Sequence, residues 1–207
     1  MPHFLLFLMA AGLLAVTPGP GIFYVVSRTW ASGRRDGLAS SLGTMVGGLV
    51  HVTACVIGVS AIIMASAAAF AVLKLCGGLY LIYLGVQTFR SASREQGLLA
   101  GEGARGGGSA FRQGIVVEAT NPKTAAFFLA FIPQFINVAA GHVPLQFLVM
   151  GVICVALNTG ADLVAVMGAA RLHRRLVERP ALFKRLRQGS GLLMVSLGAG
   201  VLAMKRS

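Results

Sequence analysis

The sequence is poor in charged residues. Asp, Glu, Lys and Arg make up only 12% of its 207 residues, whereas 56% are hydrophobic and the mean hydropathy is +0.79. Soluble domains contain about 25% charged residues. The shortage argues against an ordinary soluble domain and predicts an all-α integral membrane protein embedded in a lipid bilayer.

Acidic residues are especially rare. The sequence has six Asp and Glu residues and 18 Lys and Arg residues, which gives a net charge of +12 and a pI of about 11.1. In a soluble protein this excess would suggest nucleic acid. Here most of the bases fall in the first, third and fifth connections between hydrophobic segments, so we expect no nucleic-acid partner. The positive-inside rule then predicts both termini outside, although a re-entrant first segment, with the N-terminus inside, stays open.

Cysteine is also rare, and its placement excludes several kinds of site. Cys55, Cys76 and Cys154 all lie in apolar segments and form no CxxC or His/Cys spacing. The sequence therefore predicts no disulfide framework, no thiol redox motif, no metal site and no cofactor. The absence of Lys and Arg before the first apolar run argues against a cleaved signal peptide.

Long apolar runs predict six transmembrane helices. About 20 apolar residues cross a bilayer, and the first run, Phe4 to Ser27, contains no charged residue. The predicted boundaries of the other five helices are 38–64, 70–89, 113–136, 145–169 and 188–204, with turns at 65–70 and 137–144. A polar, glycine-rich stretch at 91–110, which contains Gly106 to Gly108, predicts a flexible cytoplasmic linker between a half at 1–90 and a half at 111–207.

Prolines break two of these helices, the first and the fourth. Pro18 and Pro20 lack the amide proton of a continuous helix and free the carbonyls of Leu14 and Val16, and Pro122 frees the carbonyl of Glu118. Inside a bilayer such carbonyls survive only against protein, water or a ligand. A mere kink is the alternative at either position.

The two breaks occupy corresponding positions in the two halves. In addition, Gly78 and Gly85 of the third helix match Gly191 and Gly198 of the sixth. Since each half has three helices, the halves would enter the membrane in opposite directions, as inverted repeats. Broken helices at matching positions of such repeats indicate the midplane site of a secondary transporter, although chance similarity of apolar helices remains the alternative for the glycine match.

Each break offers groups for both ends of a small zwitterion. The N-terminus of the half-helix after the break suits a carboxylate, and the freed carbonyls suit an ammonium. The predicted substrate-binding residues are Thr17, Pro18, Gly19, Pro20, Gly21, Asn121, Pro122 and Lys123.

Ionisable residues inside apolar helices are costly and indicate function. The proton-coupling candidates are Asp162, Glu118 and His51. Alternatives are an interfacial Glu118, a structural pair between Lys123 and Asp162, and a packing role for His51. Gly43 and Gly47 form a small-residue face that predicts close helix packing.

These motifs together resemble the LysE/RhtB family of bacterial amino-acid exporters, over nearly the whole chain. The similar residues are Thr17 to Pro20, Gly33 to Gly37, Gly43, Gly47, Asn121 to Lys123, Phe127 to Phe135 with its closing Pro133, Gln134 and Phe135, and the acid Asp162 in helix five. The sequence differs from the family pattern in an extra glycine, Gly21, and in the glycine-rich loop at Gly106 to Gly108.

The resemblance implies a transporter rather than an enzyme. It implies a multi-pass inner-membrane antiporter that exports amino acids from the cytoplasm in exchange for protons. Asn121, Pro122 and Lys123 look more like the homoserine/threonine branch than the lysine/arginine branch, which favours a neutral substrate. An exporter of metal cations or other small solutes is the alternative function, and a homo-oligomer stays open.

Overall fold

The structure, a computed structural model, describes residues 2–92, 107–178 and 180–203. Most of the predicted linker at 91–110 lies outside these residues, as do Lys205 and Arg206. The described chain is helical apart from short turns. Its α-helices are α1 (Pro2–Val16), α2 (Pro20–Ser32), α3 (Arg34–Ala54), α4 (Ser60–Ala65), α5 (Ala67–Ser91), α6 (Gly107–Ala119), α7 (Pro122–Ala126), α8 (Val143–Glu178) and α9 (Pro180–Ala203).

Shorter helical segments complete two of the spans. A π-helix at Cys55–Val59 joins α3 to α4, and α7 continues through a π-helix at Phe127–Phe131 and a 3₁₀-helix at Ile132–Phe135. π-Helical segments inside α-helices often occur at functional sites. Here the second one, with buried Phe127 and Phe128, directly follows the break at Pro122.

Four described segments are long and apolar enough to cross a membrane: Arg34–Ala65, Ala68–Ser91, Val143–Ala169 and Ala181–Ala203. Two bent pairs complete the set. Phe4–Val16 meets Pro20–Ser32 at 42°, and Gly108–Ala119 meets Pro122–Phe135 at 41°. Counting each pair as one span gives six, so the predicted all-α membrane fold with broken first and fourth helices is confirmed.

The predicted turn at 65–70 is shorter in the structure. Only Ser66 leaves the helical region, with φ −157° and ψ 121°, and its hydroxyl accepts a hydrogen bond from Ala69 N at 3.1 Å. Serine is a favoured N-cap because its side chain satisfies an amide at the start of a helix. One capping residue is therefore enough to reverse the chain.

The prediction that the basic residues 171–187 form a connecting loop is wrong. α8 continues to Glu178 and α9 begins at Pro180, so the sixth span starts before the predicted residue 188. Arg and Lys are good helix formers, and Pro is favoured at the first position of a helix. As a result, Arg187 lies inside α9.

The first basic turn is also more compact than predicted. Only Gly33, at φ 86°, separates α2 from α3. This left-handed conformation favours glycine. The reversal brings the Arg28 guanidinium within 3.5 Å of the Asp36 carboxylate, and both side chains are buried.

Glycines allow two pairs of helices to pack backbone against backbone. Gly43 and Gly47 face α6, where a Cβ on Gly47 would lie 2.6 Å from the carbonyl oxygen of Ile115. Similarly, a Cβ on Gly85 of α5 would lie 2.6 Å from the Gly191 oxygen, and one on Gly191 of α9 would lie 2.5 Å from the Gly85 oxygen. Since Gly78 faces Gly198 in the same way, α5 and α9 run antiparallel.

The buried core lies between the spans and is rich in phenylalanine. Its largest fully buried side chains include Phe7, Phe127, Phe128 and Phe147. Large apolar side chains also cover much of the outer surface, as expected for helices that face lipid. Among the buried polar residues, Thr17, Glu118, Asn121, Lys123 and Thr124 lie at or next to the two breaks.

We predict that Gly191→Ala lowers the thermal stability of the protein. The new methyl group would lie too close to the Gly85 carbonyl, and overpacking of this kind costs about 1–3 kcal/mol. Gly200→Ala on the same helix is the matched control, because a Cβ there has no neighbour within 4 Å. Thermal unfolding of the purified variants measures the difference. Equal melting temperatures for the two variants would show that α5 and α9 do not pack through these glycines.

Candidate functional site

Lys123 joins the two broken helices. Its side chain is 9% exposed, and its Nζ donates hydrogen bonds to the main-chain oxygens of Leu14 at 3.2 Å and Thr17 at 2.9 Å. Both carbonyls belong to the first break, whereas Lys123 belongs to the second. The two breaks therefore meet inside the protein.

The local sequence explains why each break starts a new helix. Pro20 and Pro122 both occupy the first helical position, where proline costs no hydrogen bond. Asn121 caps α7 by accepting a hydrogen bond from Lys123 N at 3.0 Å. The N-cap of α2 is Gly19, and a Cβ at this position would lie only 3.1 Å from Lys123 Nζ. A larger residue there would crowd the lysine.

We call the region where the two breaks meet around Lys123 the crossing. The Glu118 carboxylate is buried beside it. It is 8% exposed and accepts hydrogen bonds from Asn121 Nδ2 at 3.0 Å and from Thr124 Oγ1 at 2.6 Å. A Cβ on Gly21 would lie 2.7 Å from Glu118 Oε2, so the carboxylate reaches the first turn of α2 as well. The extra glycine, Gly21, thus makes room for Glu118.

His51 satisfies the carbonyl that Pro122 frees. Its Nε2 lies 2.9 Å from the main-chain oxygen of Glu118, which also accepts from Asn121 N at 3.0 Å. Because a carbonyl only accepts, this hydrogen bond requires the proton on Nε2. The contact matches the packing alternative, and a proton-coupling role for His51 stays a prediction.

Asp162 lies on α8 and faces the same region. It is 5% exposed, and its carboxylate accepts a hydrogen bond from Thr44 Oγ1 at 2.7 Å. The alternative of a direct Lys123–Asp162 pair is not seen in this conformation, where the amine binds the Leu14 and Thr17 carbonyls of the first break and the carboxylate binds Thr44 of α3. Two buried acids and one buried base therefore surround the crossing without a direct ion pair among the three.

Both acids, Glu118 and Asp162, line one small cavity. Its volume is about 30 Å³, enough for about two water molecules. The lining residues are Ala15, Gly21, Ile22, Thr44, Met45, Gly48, Glu118, Asn121, Lys123, Thr124, Phe128, Val155, Asn158, Thr159 and Asp162. In this conformation the acidic side of the crossing is closed to anything much larger than water.

A larger cavity lies on the other side of the crossing and has a volume of about 440 Å³. It is lined by Pro18, Gly19, Pro20, Leu84, Gln87, Thr88, Asn121, Pro122, Lys123, Arg187, Ser190 and Met194. These include two bases and no acid. Asn121 and Lys123 line both cavities and separate them.

Sequence reasoning missed several polar residues of these cavities, among them Thr44, Thr124, Arg187 and Ser190. Arg187 is 5% exposed and lies over the Phe23 ring at 5.7 Å, and Ser190 Oγ donates to the Pro18 oxygen at 3.0 Å. A usable signal was the spacing of Arg187 and Ser190, which places both on one face of a helix. Recognising it required starting helix six before residue 188.

The predicted site residues of the breaks come together, while Gly43 and Gly47 lie outside both cavities and pack against α6. Among the described residues, no group of three or more His, Cys, Asp or Glu side chains could hold a metal ion. The assembled groups instead suit a small polar molecule that carries both charges.

We predict that Asn121→Ala destabilises the protein more than the neighbouring Thr120→Ala. Asn121 provides both the cap of α7 and a hydrogen bond to the buried Glu118 carboxylate. Loss of a cap costs about 1 kcal/mol, and an unsatisfied buried group costs about 1–3 kcal/mol more. Thr120 is exposed and bonds only within its own helix. Thermal unfolding of both variants is the measurement, and an equal loss of stability would contradict this arrangement.

Comparison with known proteins places this chain in a family. A model of the LysE type translocators matches residues 12–205. The chain is 32% identical to a homoserine/homoserine lactone efflux protein of Salmonella typhimurium, an alignment that covers 93% of this chain and 92% of that protein. It is 28% identical to an uncharacterized membrane protein of Vibrio cholerae, over 94% and 93% of the two chains.

A leucine efflux protein of Salmonella typhimurium is 26% identical over 70% of this chain and 68% of its own length. No solved structure matches the chain. The matched region contains both breaks, Lys123 and Asp162. The chain is therefore a membrane protein and belongs to the LysE type translocator family.

Proposed function

We propose that this protein exports neutral amino acids from the cytoplasm in exchange for protons, as an antiporter in the bacterial inner membrane. The observation that carries the proposal is the buried crossing of two broken helices, where Lys123 binds main-chain carbonyls and the carboxylates of Glu118 and Asp162 are buried nearby. Buried charges of this kind in a membrane protein mark substrate and ion pathways. Efflux of amino acids is also the activity named for the Salmonella relatives.

The two cavities differ in charge in a way that fits a zwitterion. Lys123 and Arg187 line the larger cavity, which suits a carboxylate, and Glu118 and Asp162 line the smaller one, which suits an ammonium. An amino acid that enters the larger cavity would meet the bases first. Its ammonium would then lie nearest to the crossing.

The composition of the larger cavity favours a neutral side chain. Its wall contains no acid, so a lysine or arginine side chain would find no partner of opposite charge there. Leu84 and Met194 provide apolar surface, and Gln87 and Thr88 provide neutral hydrogen-bonding groups. Small neutral amino acids such as threonine and homoserine fit this mixture.

Asp162 and Glu118 are the proposed proton carriers. A carboxylate buried in a membrane protein can alternate between a charged and a neutral form, which links proton uptake to substrate release. Only one carboxylate oxygen of Asp162 accepts the hydrogen bond from Thr44, and Asp162 lines the small cavity. We assign His51 a secondary role, because its Nε2 binds the Glu118 carbonyl.

We propose that the two halves of the chain, 1–90 and 111–207, are inverted repeats that rock about the crossing. Two observations support this relation. Each half contributes one broken helix, and the matching glycines of α5 and α9 pack reciprocally, Gly85 against Gly191 and Gly78 against Gly198. Reciprocal contacts between matching residues are what a two-fold relation produces.

An exporter of metal cations is the second candidate. The two acids of the small cavity favour it, because carboxylates bind hard divalent cations. The buried amine of Lys123 in the same cavity wall opposes it, since its positive charge repels a doubly charged ion more strongly than the single charge of an ammonium. Substrate tests decide between the two.

The test of the function is an efflux panel in proteoliposomes. Vesicles that contain the purified protein are loaded with threonine, homoserine, leucine, lysine or Mn²⁺ and diluted into buffer at the same or a lower pH. We expect threonine, homoserine or leucine efflux to exceed that of protein-free vesicles and to rise when the outside is more acidic. Mn²⁺ efflux without amino-acid efflux would favour the metal exporter and contradict the proposal.

We further predict that Asp162→Asn removes the stimulation of efflux by an acidic outside. Asparagine keeps the size of the side chain and its bond to Thr44 but cannot carry a proton. Efflux at equal pH, compared with efflux down the proton gradient, measures this loss. Glu178→Gln at the end of the same helix is the acid-to-amide control, and it should respond as the wild type does. A variant at Asp162 that still responds fully to the gradient would remove this residue from the proton pathway.

A further inference from the structure

We infer that Lys123 occupies a binding site for a primary ammonium, which the main-chain carbonyls of Leu14 and Thr17 form, and that the ammonium of the transported amino acid replaces it. This inference rests on the proposed function and names the atoms that bind one end of the substrate. It also gives Lys123 a definite role, as a tethered occupant of the substrate site.

The first argument is the geometry around the amine. Lys123 Nζ donates to the Leu14 oxygen at 3.2 Å and to the Thr17 oxygen at 2.9 Å, distances normal for hydrogen bonds. Both acceptors are main-chain atoms fixed by the backbone of the break. The site therefore recognises a hydrogen-bonding cation whether or not it is attached to residue 123.

The second argument is the cost of leaving these carbonyls without a donor. Pro18 removes the amide that the Leu14 carbonyl would bind in a continuous helix, so this carbonyl accepts a tighter main-chain hydrogen bond from Thr17 N at 3.1 Å, and Thr17, whose own carbonyl binds Lys123, lies where α1 has ended. A buried polar group without a hydrogen bond costs about 1–3 kcal/mol. Since only a donor can occupy the site, Lys123 leaves most readily when another ammonium takes its place.

The third argument is position. Lys123 lies between the two cavities and lines both. While its amine holds the carbonyls, it closes the passage from the cavity of about 440 Å³ to the cavity of about 30 Å³. A Cβ on Gly19 would lie 3.1 Å from Lys123 Nζ, so the glycine beside the break leaves room for this closure.

The combination of these features gives a specificity rule. A solute opens the passage only if it offers a primary ammonium to the Leu14 and Thr17 carbonyls. Free carboxylic acids and quaternary amines do not satisfy this requirement, because neither donates a hydrogen bond from nitrogen.

The test is chemical rescue with methylammonium. In Lys123→Ala the Leu14 and Thr17 carbonyls lose the hydrogen bonds from Nζ, the Leu14 carbonyl keeps only the one from Thr17 N, and the lysine side chain leaves a space. Methylammonium should therefore bind and raise the melting temperature by about 3 °C at ten times its dissociation constant. Tetramethylammonium, which carries the same charge but no N–H, should give no such shift. In the wild type methylammonium must compete with the amine of Lys123, so its shift should be clearly smaller than in Lys123→Ala, and tetramethylammonium should again give none.

Lys184→Ala is the matched control, because Lys184 is an exposed lysine of α9 outside both cavities. It should behave as the wild type does. Equal responses of Lys123→Ala to methylammonium and tetramethylammonium would overturn the inference. If Lys123→Ala is unstable, Lys123→Ser is tested in the same way.

If neither variant gives folded protein, purification in methylammonium becomes the readout. Recovery of monodisperse protein with methylammonium but not with tetramethylammonium supports the site, and failure of both ions to rescue it contradicts the site. The result is separate from that of the efflux panel. Methylammonium binding without amino-acid efflux would keep the ammonium site and reject the proposed function, whereas amino-acid efflux without methylammonium binding would do the reverse.

Discussion

The rest of the structure depends on how the carbonyls of the first break are satisfied. A membrane helix cannot leave carbonyls unpaired in hydrocarbon, yet the sequence after Leu14 removes the amides that would pair with them. Thr17 N donates to the Leu14 carbonyl, and the amine of Lys123, which comes from the second break more than a hundred residues later in the chain, binds both this carbonyl and that of Thr17. The hydrogen bonding of Lys123 explains why the two broken helices lie together, why Gly19 has no side chain and why a lysine is buried there.

The polar groups around this bond are arranged asymmetrically. Acids face the small cavity on the α3 and α8 side, and bases face the large cavity on the α5 and α9 side. Glycine packing between α3 and α6 and between α5 and α9 brings the backbones on both sides close together. The proposed site for a zwitterion thus depends on two breaks, one buried lysine and close helix packing.

Much of this could be predicted from local sequence. The scarcity of charged residues predicted the membrane fold, and the positions of the prolines predicted both breaks. Both signals are local, because the free-energy cost of a charge in lipid or of a missing helix amide is set by one residue and its near neighbours. The partners of Lys123 and Asp162 could not be predicted, since each contact joins distant segments of the chain. Arg187 was missed for a different reason. The positive-inside rule predicts that an arginine-rich stretch is a cytoplasmic connection, but the same residues are good helix formers.

The most direct test of the central claim, that amino acids bind at this crossing, is substrate protection of Ser190→Cys. Ser190 lines the large cavity beside the first break. In a protein whose exposed Cys76 is replaced by serine, we predict that an exported amino acid slows modification of Ser190→Cys by a small methanethiosulfonate reagent and leaves Ala140→Cys, in an exposed turn, unaffected. Modification of Ser190→Cys at the same rate with and without every amino acid that the protein exports would contradict the account.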